Sequence, residues 1–284
     1  MPELPEVQTV VNDLNNAGLK GAIIQTVTVS WPRSITGISP SVFTRRLSGL
    51  RVQHIYRRAK YIIFDLGPKK TALLIHLRMS GRLRLAAGKE KRGKHEHVCI
   101  SFLDGRELRL HDTRKFARLY LCKTAEEITG DLGPEPLGSE FTPAWFSSML
   151  SKRKRMLKPL LLDQHCIAGL GNIYVDEALW EAGLHPCRRS CTLTPAESKK
   201  LFAAIPRVLK RGLRNMGTTL GTGKANFFSV AGRRGDNSSQ LRVFRRTGLA
   251  CPRCQKPIIR IIVGQRSTHI CPACQKEIID CSRN

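Results

Sequence analysis

Two tight cysteine pairs near the C-terminus, Cys251-Pro-Arg-Cys254 and Cys271-Pro-Ala-Cys274, are separated by 16 residues. Two such knuckles at this spacing fit one tetrahedral zinc held by four thiolates. Thiolates are soft donors and suit zinc in a reducing compartment, whereas two independent redox dithiols would not need the matched spacing. One structural Zn2+ on Cys251, Cys254, Cys271 and Cys274 is therefore the cofactor the sequence implies. His269 stands close by, but four cysteines already fill the site, so a supporting or nucleic-acid-facing role is expected for it. The other six cysteines, at 99, 122, 166, 187, 191 and 281, are scattered and read as plain thiols. A zinc unit of this kind indicates binding and does not by itself indicate catalysis.

Charge narrows the partner. Lys and Arg number 48 against 22 Asp and Glu, a formal +26 with a pI near 10.3. A field of that size favours polyanions through phosphate contacts and counterion release. Nucleic acid fits the charge and the cysteine pattern together; anionic membrane and ribosomal RNA are the competitors. No apolar run approaches the ~18 residues of a membrane span. The start, MPELPEV, lacks the basic and apolar regions of a signal peptide, so an intracellular protein is expected.

The elements that must position these groups can be read coarsely. Residues 5–17 read as a helix, with Val7, Val10, Val11 and Leu14 on one face. Pro5 suits its first position, Glu6 its first turn and Gly18 its end, which leaves Pro2 and Glu3 just outside the helix N-terminus. From about 21 to 123 the chain reads as β-rich. Asp104-Gly105 is the expected two-residue turn of a hairpin, and the charged stretch LAAGKEKRGKHEH separates two further strands. The Pro- and Gly-rich segment 131–143 is a linker candidate. Helical patterns follow at TPAWFSSML, RMLKPLLLD, NIYVDEALWEAG and TPAESKKLFAAIPRVLKRGLRNM. The Gly-, Ser- and Asn-rich stretch 217–240 is too long for a simple connector. The isoleucines between the knuckles suggest a hairpin, with Gly264–Thr268 as its turn and Arg266 at the tip.

Three segments join the knuckles in a larger pattern: Met1-Pro2-Glu3-Leu4-Pro5-Glu6-Val7, Leu170-Gly171-Asn172-Ile173-Tyr174-Val175-Asp176-Glu177, and Arg266 to Gln275. From end to end the chain resembles the formamidopyrimidine-DNA glycosylase and endonuclease VIII family. The blocks Arg57–Tyr61, His76–Gly81 and Asp112–Phe116 resemble the formamidopyrimidine branch, although Ala59, Arg78 and Ala117 stand where that branch commonly has glycine. The resemblance implies an α+β multidomain fold: an N-terminal β-sandwich with flanking helices over 1–130, a helix–two-turn–helix domain with the lesion-capping loop over 131–245, and a zinc-finger β-hairpin over 246–284. It also implies a monomer acting on damaged double-stranded DNA, in a bacterial cytoplasm. The reaction would be base excision of oxidised purines followed by β,δ-elimination. An endonuclease VIII-like enzyme for oxidised pyrimidines is the alternative within the family. A non-catalytic zinc-ribbon protein is the alternative outside it.

Site roles follow from the same resemblance. Pro2, freed of Met1, is the amine nucleophile, and an α-amino group of pKa ~8 is far more neutral at pH 7 than a lysine. Glu3 is the proton donor, and Glu6 orients the site and caps the helix. Lys60 and Arg266 assist the eliminations at phosphate, Arg266 as a bidentate electrostatic stabiliser. Met79, Arg114 and Phe116 form the trio that fills the duplex once a base is flipped out. His95, Arg153, Lys158 and Asn172 are backbone contacts, Asn172 also as a cap at the start of its helix.

Overall fold

Val7, Val10, Val11 and Leu14 do form one buried stripe, on helix α1 (Leu4–Asn16) of this computed structural model, which describes residues 1–68, 70–221 and 227–277. The stripe joins a core made by two sheets. After β1 (Ile24–Val29), β2 (Ile35–Thr36) and α2 (Pro40–Leu47) come β3 (Arg51–Arg58), β4 (Tyr61–Gly67) and β5 (Thr71–His76). Then follow β6 (Arg82–Ala87), β7 (Glu96–Phe102), β8 (Arg106–His111) and β9 (Arg118–Cys122). One sheet has the order β1-β7-β8-β6 and the other β2-β9-β5-β4-β3. All neighbours are antiparallel except the short β2–β9 pair. Val98, Ile100 and Leu110 from one sheet and Ile62, Phe64 and Leu119 from the other share the core with α1, which makes a β-sandwich with flanking helices. Asn15 Nδ2 on the Ile55 carbonyl and Arg57 Nε on Gln8 Oε1, both at 3.0 Å, tie α1 to β3.

The β7–β8 connection is longer than expected. Ser101 pairs with Glu107, and the turn is the three residues 103–105, with Gly105 at φ +83. That pattern suits a residue in the left-handed region closing a three-residue hairpin loop. The zinc hairpin shows the converse. β10 (Ile259–Val263) and β11 (Arg266–Ile270) are joined by only Gly264-Gln265, both at positive φ, so Arg266 opens β11 beside the turn instead of standing at its tip.

After the short α3 (Glu126–Thr129) and an irregular stretch over the linker segment, α4 (Pro143–Ser151), α5 (Leu157–Leu162), α6 (Asn172–Ala182) and α7 (Pro195–Arg214) follow where the periodicity put helices. Met1–Asp131 and Gly212–Ser238 form one compact unit; Leu132–Arg211 and the residues from Ser239 form the other. The segment read from sequence as the tail of a 131–245 domain thus packs largely with the N-terminal sandwich, and the zinc hairpin packs with the helices. Part of that segment, 222–226, lies outside the described residues, as does Cys281.

Candidate functional site

In the first unit, Pro2 and Glu3 are buried immediately ahead of α1. Glu3 is the N-cap and forms a reciprocal capping box with Glu6, whose Oε2 accepts the Glu3 N–H at 2.8 Å. The other oxygen of Glu6 accepts the N–H of Thr218 at 2.7 Å. Gly217 has to be small there: at φ +83, a Cβ would lie 2.8 Å from Glu6 Cγ. Two turns along the same face of α1, Asp13 accepts the Ala231 N–H at 3.0 Å and pairs with Arg233 at 2.5 Å. Thr219 Oγ1 links the two sides of this arm, donating to Phe227 O at 2.7 Å and accepting from Gly235 N at 2.8 Å. Glu6 and Asp13 therefore hold both flanks of residues 222–226 on the helix that carries Pro2 and Glu3.

Lys60 is buried in the two-residue turn between β3 and β4. Its neighbour Ala59 sits at φ +53, and Arg78 sits at φ +54. These are two of the positions where the sequence departs from glycine, so the backbone there has the left-handed conformation that glycine adopts freely. Burial, with the charges of Arg78 and Lys60 acting the same way, pushes the His76 imidazole down to about 3. It is neutral at pH 7, and its Nδ1 accepts the Arg78 N–H at 3.0 Å.

Met79, Arg114 and Phe116 are all exposed, and the Arg114 guanidinium lies 4.8 Å from the Phe116 ring centre. One buried carboxylate organises the segments bearing them. Asp112 accepts from the Ser80 hydroxyl, from Arg114 N at 3.1 Å and from Ala117 N at 2.7 Å. Its backbone N–H also holds the His95 carbonyl at 2.9 Å, so the half-buried His95 is fixed by the same residue.

In the second unit, Gly171, not Asn172, is the N-cap of α6; Asn172 is its first residue. Asn172 Nδ2 donates to Ser267 O at 2.9 Å, beside Arg266, while its Oδ1 is buried without a hydrogen-bond partner among the described residues. Lys158 lies inside the second unit. Its side chain is fully buried, with Nζ 2.5 Å from Asp176 Oδ1 and 3.0 Å from Ser267 O. His269 is buried too. Asp176 Oδ2 accepts its backbone N–H at 2.9 Å, its ring Nδ1 lies 3.3 Å from the same oxygen, and the ring stands edge-on to Phe244. These contacts make it a support of the hairpin. Arg153 is half-buried, with NH1 on Met149 O at 3.2 Å, and Arg266 is exposed.

The four cysteine sulfurs lie within 4.8 Å of one another, with pairs at 3.9 Å (Cys251–Cys274) and 3.4 Å (Cys254–Cys271). A tetrahedron of about 2.3 Å Zn–S bonds has edges of about 3.8 Å, so the cluster fits one zinc. Thiols of the cluster shift against one another: burial opposes ionisation of Cys251, yet backbone N–H groups of Arg253 and Cys254 and the Trp180 side chain bring it down, while burial and hydrogen bonds among the thiols push Cys274 up and burial pushes Cys271 up.

Spacing singled out the zinc ligands and the family resemblance most of the other residues, but neither singled out Asp13, Asp112, Asp176 and Glu177, which position the rest. Glu177, pushed up by burial, accepts the N–H groups of Arg242, Val243 and Phe244 at 2.9–3.0 Å. Asp176 and Glu177 lie in the quoted α6 motif and Asp112 in the Asp112–Phe116 block, so an acidic residue inside a buried pattern was the available signal. Asp13 had none, because its partners lie over 200 residues away.

A two-sheet sandwich ending in a buried Pro-Glu pair, with a helical unit and a four-cysteine hairpin, defines a zinc-finger protein whose N-terminus is itself a candidate reactive group. Family profiles agree along the chain: residues 1–119 match a formamidopyrimidine-DNA glycosylase N-terminal domain, 132–223 its H2TH domain, and 248–276 a zinc finger found in FPG and IleRS. The formamidopyrimidine-DNA glycosylase of Protochlamydia amoebophila is 46% identical over 270 residues, 95% of this chain and 98% of that protein. That of Herpetosiphon aurantiacus is 42% identical over the same shares. Among solved structures, a Lactococcus lactis FPG mutant with Fapy-dG-containing DNA superposes with a TM-score of 0.89 at 35% identity, covering 97% of this chain and all of that one. The MutM (FPG) protein of Thermus thermophilus gives 0.87 at 35% identity, covering 97% of this chain and 99% of that one. The chain belongs to the formamidopyrimidine-DNA glycosylase family.

Proposed function

We propose that this chain is a bifunctional base-excision-repair enzyme that removes oxidised purines (8-oxoguanine and formamidopyrimidines) from duplex DNA and cleaves the resulting abasic strand. Once Met1 is removed, Pro2 bears a secondary amine with pKa ~8, and the N-terminal end of α1 lowers it further. Its lone pair attacks C1′ of the damaged nucleotide as the bond to the base breaks, and the leaving base takes up the proton that the amine gives up. Glu3 delivers a proton to O4′, the C1′–O4′ bond opens, and the nitrogen lone pair completes an iminium. That cation is an electron sink. Loss of the C2′ proton expels the phosphate on C3′, and loss of the C4′ proton then expels the phosphate on C5′. Water releases the sugar fragment and regenerates the amine.

Lys60, His95, Arg153, Asn172 and Arg266 are read as phosphate contacts, with Lys60 and Arg266 stabilising the departing phosphates. Met79, Arg114 and Phe116 fill and read the gap that base flipping leaves. Glu6 orients Glu3 and the 218 arm. Zinc, held by Cys251, Cys254, Cys271 and Cys274, acts as a staple for the hairpin carrying Arg266. The named relatives are bacterial, which supports a bacterial cytoplasm as the place of action. No helix among the described residues is long and apolar enough to cross a membrane.

The observation that carries the reading is the burial of Pro2 and Glu3 at the start of α1, with the 218–233 arm hydrogen-bonded to that same helix. The test is borohydride trapping on duplex DNA carrying 8-oxoguanine opposite cytosine, run beside an oxidised-pyrimidine duplex and with Pro2→Gly. A covalent adduct on the first duplex, absent in the variant, is expected. Trapping on the pyrimidine duplex alone would move the enzyme to the other branch. Tight binding with no adduct on either, from protein lacking Met1, would sink the amine mechanism.

A further inference from the structure

We infer that His185, Cys187 and Glu277 form a second metal site, for one borderline divalent cation such as Zn2+, beside and separate from the four-cysteine site. One ligand atom from each of the three residues lies within 4.8 Å of the others. The donors are an imidazole, a thiolate and a carboxylate, a set that suits zinc or cobalt far better than magnesium or calcium. With a dication the site is formally neutral. Three protein donors leave one tetrahedral position for water, the pattern of an open zinc site.

The site is built from two chain segments nearly a hundred residues apart, and neither segment depends on the ligands to stay in place. His185-Pro186-Cys187 follows the left-handed cap Gly183 of α6. Its carbonyls are taken up by backbone donors: Arg188 N reaches His185 O at 3.1 Å, and Lys158 N reaches Pro186 O at 3.0 Å. From the other side, the buried Gln275 donates through Nε2 to Leu184 O at 2.9 Å and accepts Cys271 N–H at 3.0 Å through Oε1. That amide joins the residue before His185 to the chain two residues before Glu277. The juxtaposition is thus fixed by a contact none of the three ligands makes.

The burial gradient also fits a site reached from solvent. His185 is buried, Cys187 half-buried and Glu277 exposed. Among the described residues, His185 Nδ1 accepts only the Cys187 N–H, at 3.3 Å. That is long against the usual ~2.9–3.0 Å, and a cation can displace it at small cost. With three donors, one of them exposed, the site binds more weakly than the four-thiolate cluster. It fills and empties with free zinc while the structural zinc stays.

The experiment uses the full chain with zinc already in the four-cysteine site, titrated with Co2+ alone. Elemental analysis confirms that the one zinc is retained. The expected result is one further Co2+ per chain, with a thiolate-to-cobalt charge-transfer band and the visible bands of tetrahedral cobalt. Cys187→Ser should abolish the charge-transfer band and weaken binding at least ~10-fold, since losing even an outer-shell partner costs that much. Glu277→Gln should weaken binding and keep the band. Cys99→Ser, a buried cysteine outside the cluster, should change nothing. If His185→Asn fails to fold, the half-exposed Cys187 decides alone. A second cobalt bound equally well by Cys187→Ser, or no second cobalt, overturns the inference.

Discussion

The candidate residues of the two units are held in different ways. Pro2 and Glu3 stand on a helix whose apolar face lies in a core drawn from two sheets, and whose acidic residues fasten a second chain segment. Arg266 stands on a two-stranded hairpin with almost no core of its own: Trp180, Val243, Ile258 and two of the cysteines make up its buried cluster, and Ile262 is 70% exposed. A hairpin that small cannot bury enough surface to offset its ordering entropy. The four-cysteine site and the Asp176 carboxylate, which grips both Lys158 and His269, take the place of a core there. Placing a reactive group needs rigidity, and rigidity comes either from burial or from staples.

The comparison can be broken from the weaker side first. Stripping zinc with a strong chelator removes a binding energy on the order of 10 kcal/mol. The hairpin should unfold and affinity for lesion DNA should fall by at least ~100-fold, while hydrogen exchange shows the sandwich still protected. Equal loss of protection in both units would refute the contrast.

Asp176→Asn is the next largest. It leaves the fully buried Lys158 without its carboxylate, which by general experience costs ~3–5 kcal/mol. Urea melts should report that loss. The companion Lys158→Met should recover part of it, because the uncompensated charge is then gone.

On the sandwich side, Asp13→Asn sharpens the comparison through pH. Burial raises the Asp13 carboxyl, but the Ser229, Ala231 and Arg233 contacts outweigh it and hold the group below its ordinary value. A depressed carboxylate contributes stability above its unfolded pKa of ~3.9, and that contribution is lost as pH falls through the lower folded value. The variant should lose ~1–2 kcal/mol near pH 7 and show a flatter stability curve below about pH 4. An unchanged acid limb would remove Asp13 from the account of how the arm is held.

The smallest effect belongs to Arg78→Gly. The left-handed backbone costs a non-glycine residue ~1–2 kcal/mol, partly offset by the greater freedom glycine has in the unfolded chain. A net gain of roughly 0.5 kcal/mol in denaturant midpoint experiments is expected. A loss would mean that the Arg78 side chain supplies more than its backbone costs.

The sandwich strands, the four long helices and the zinc ligands were legible because each is written in local spacing: alternation, the 3.6-residue stripe, the C-x-x-C pair. The turns were read less well. Asp104-Gly105 pointed to a hairpin but not to its third residue, and the run after Ile262 hid the fact that Gly264-Gln265 alone makes the reversal. Turn length is set by strand register, a property of two segments at once.

Sequence alone therefore determined the elements and the metal ligands, since those depend on residue type and near neighbours, and its resemblance to a family pointed to the Pro2-Glu3 pair. Tertiary structure decided which charges are available. Nothing local distinguishes Lys158 from any other of the 48 basic residues, yet the fold buries it against Asp176. Nothing local joins residue 13 to residue 231, or residue 187 to residue 277. Desolvation and pairing act through space, and only the fold brings those partners within reach.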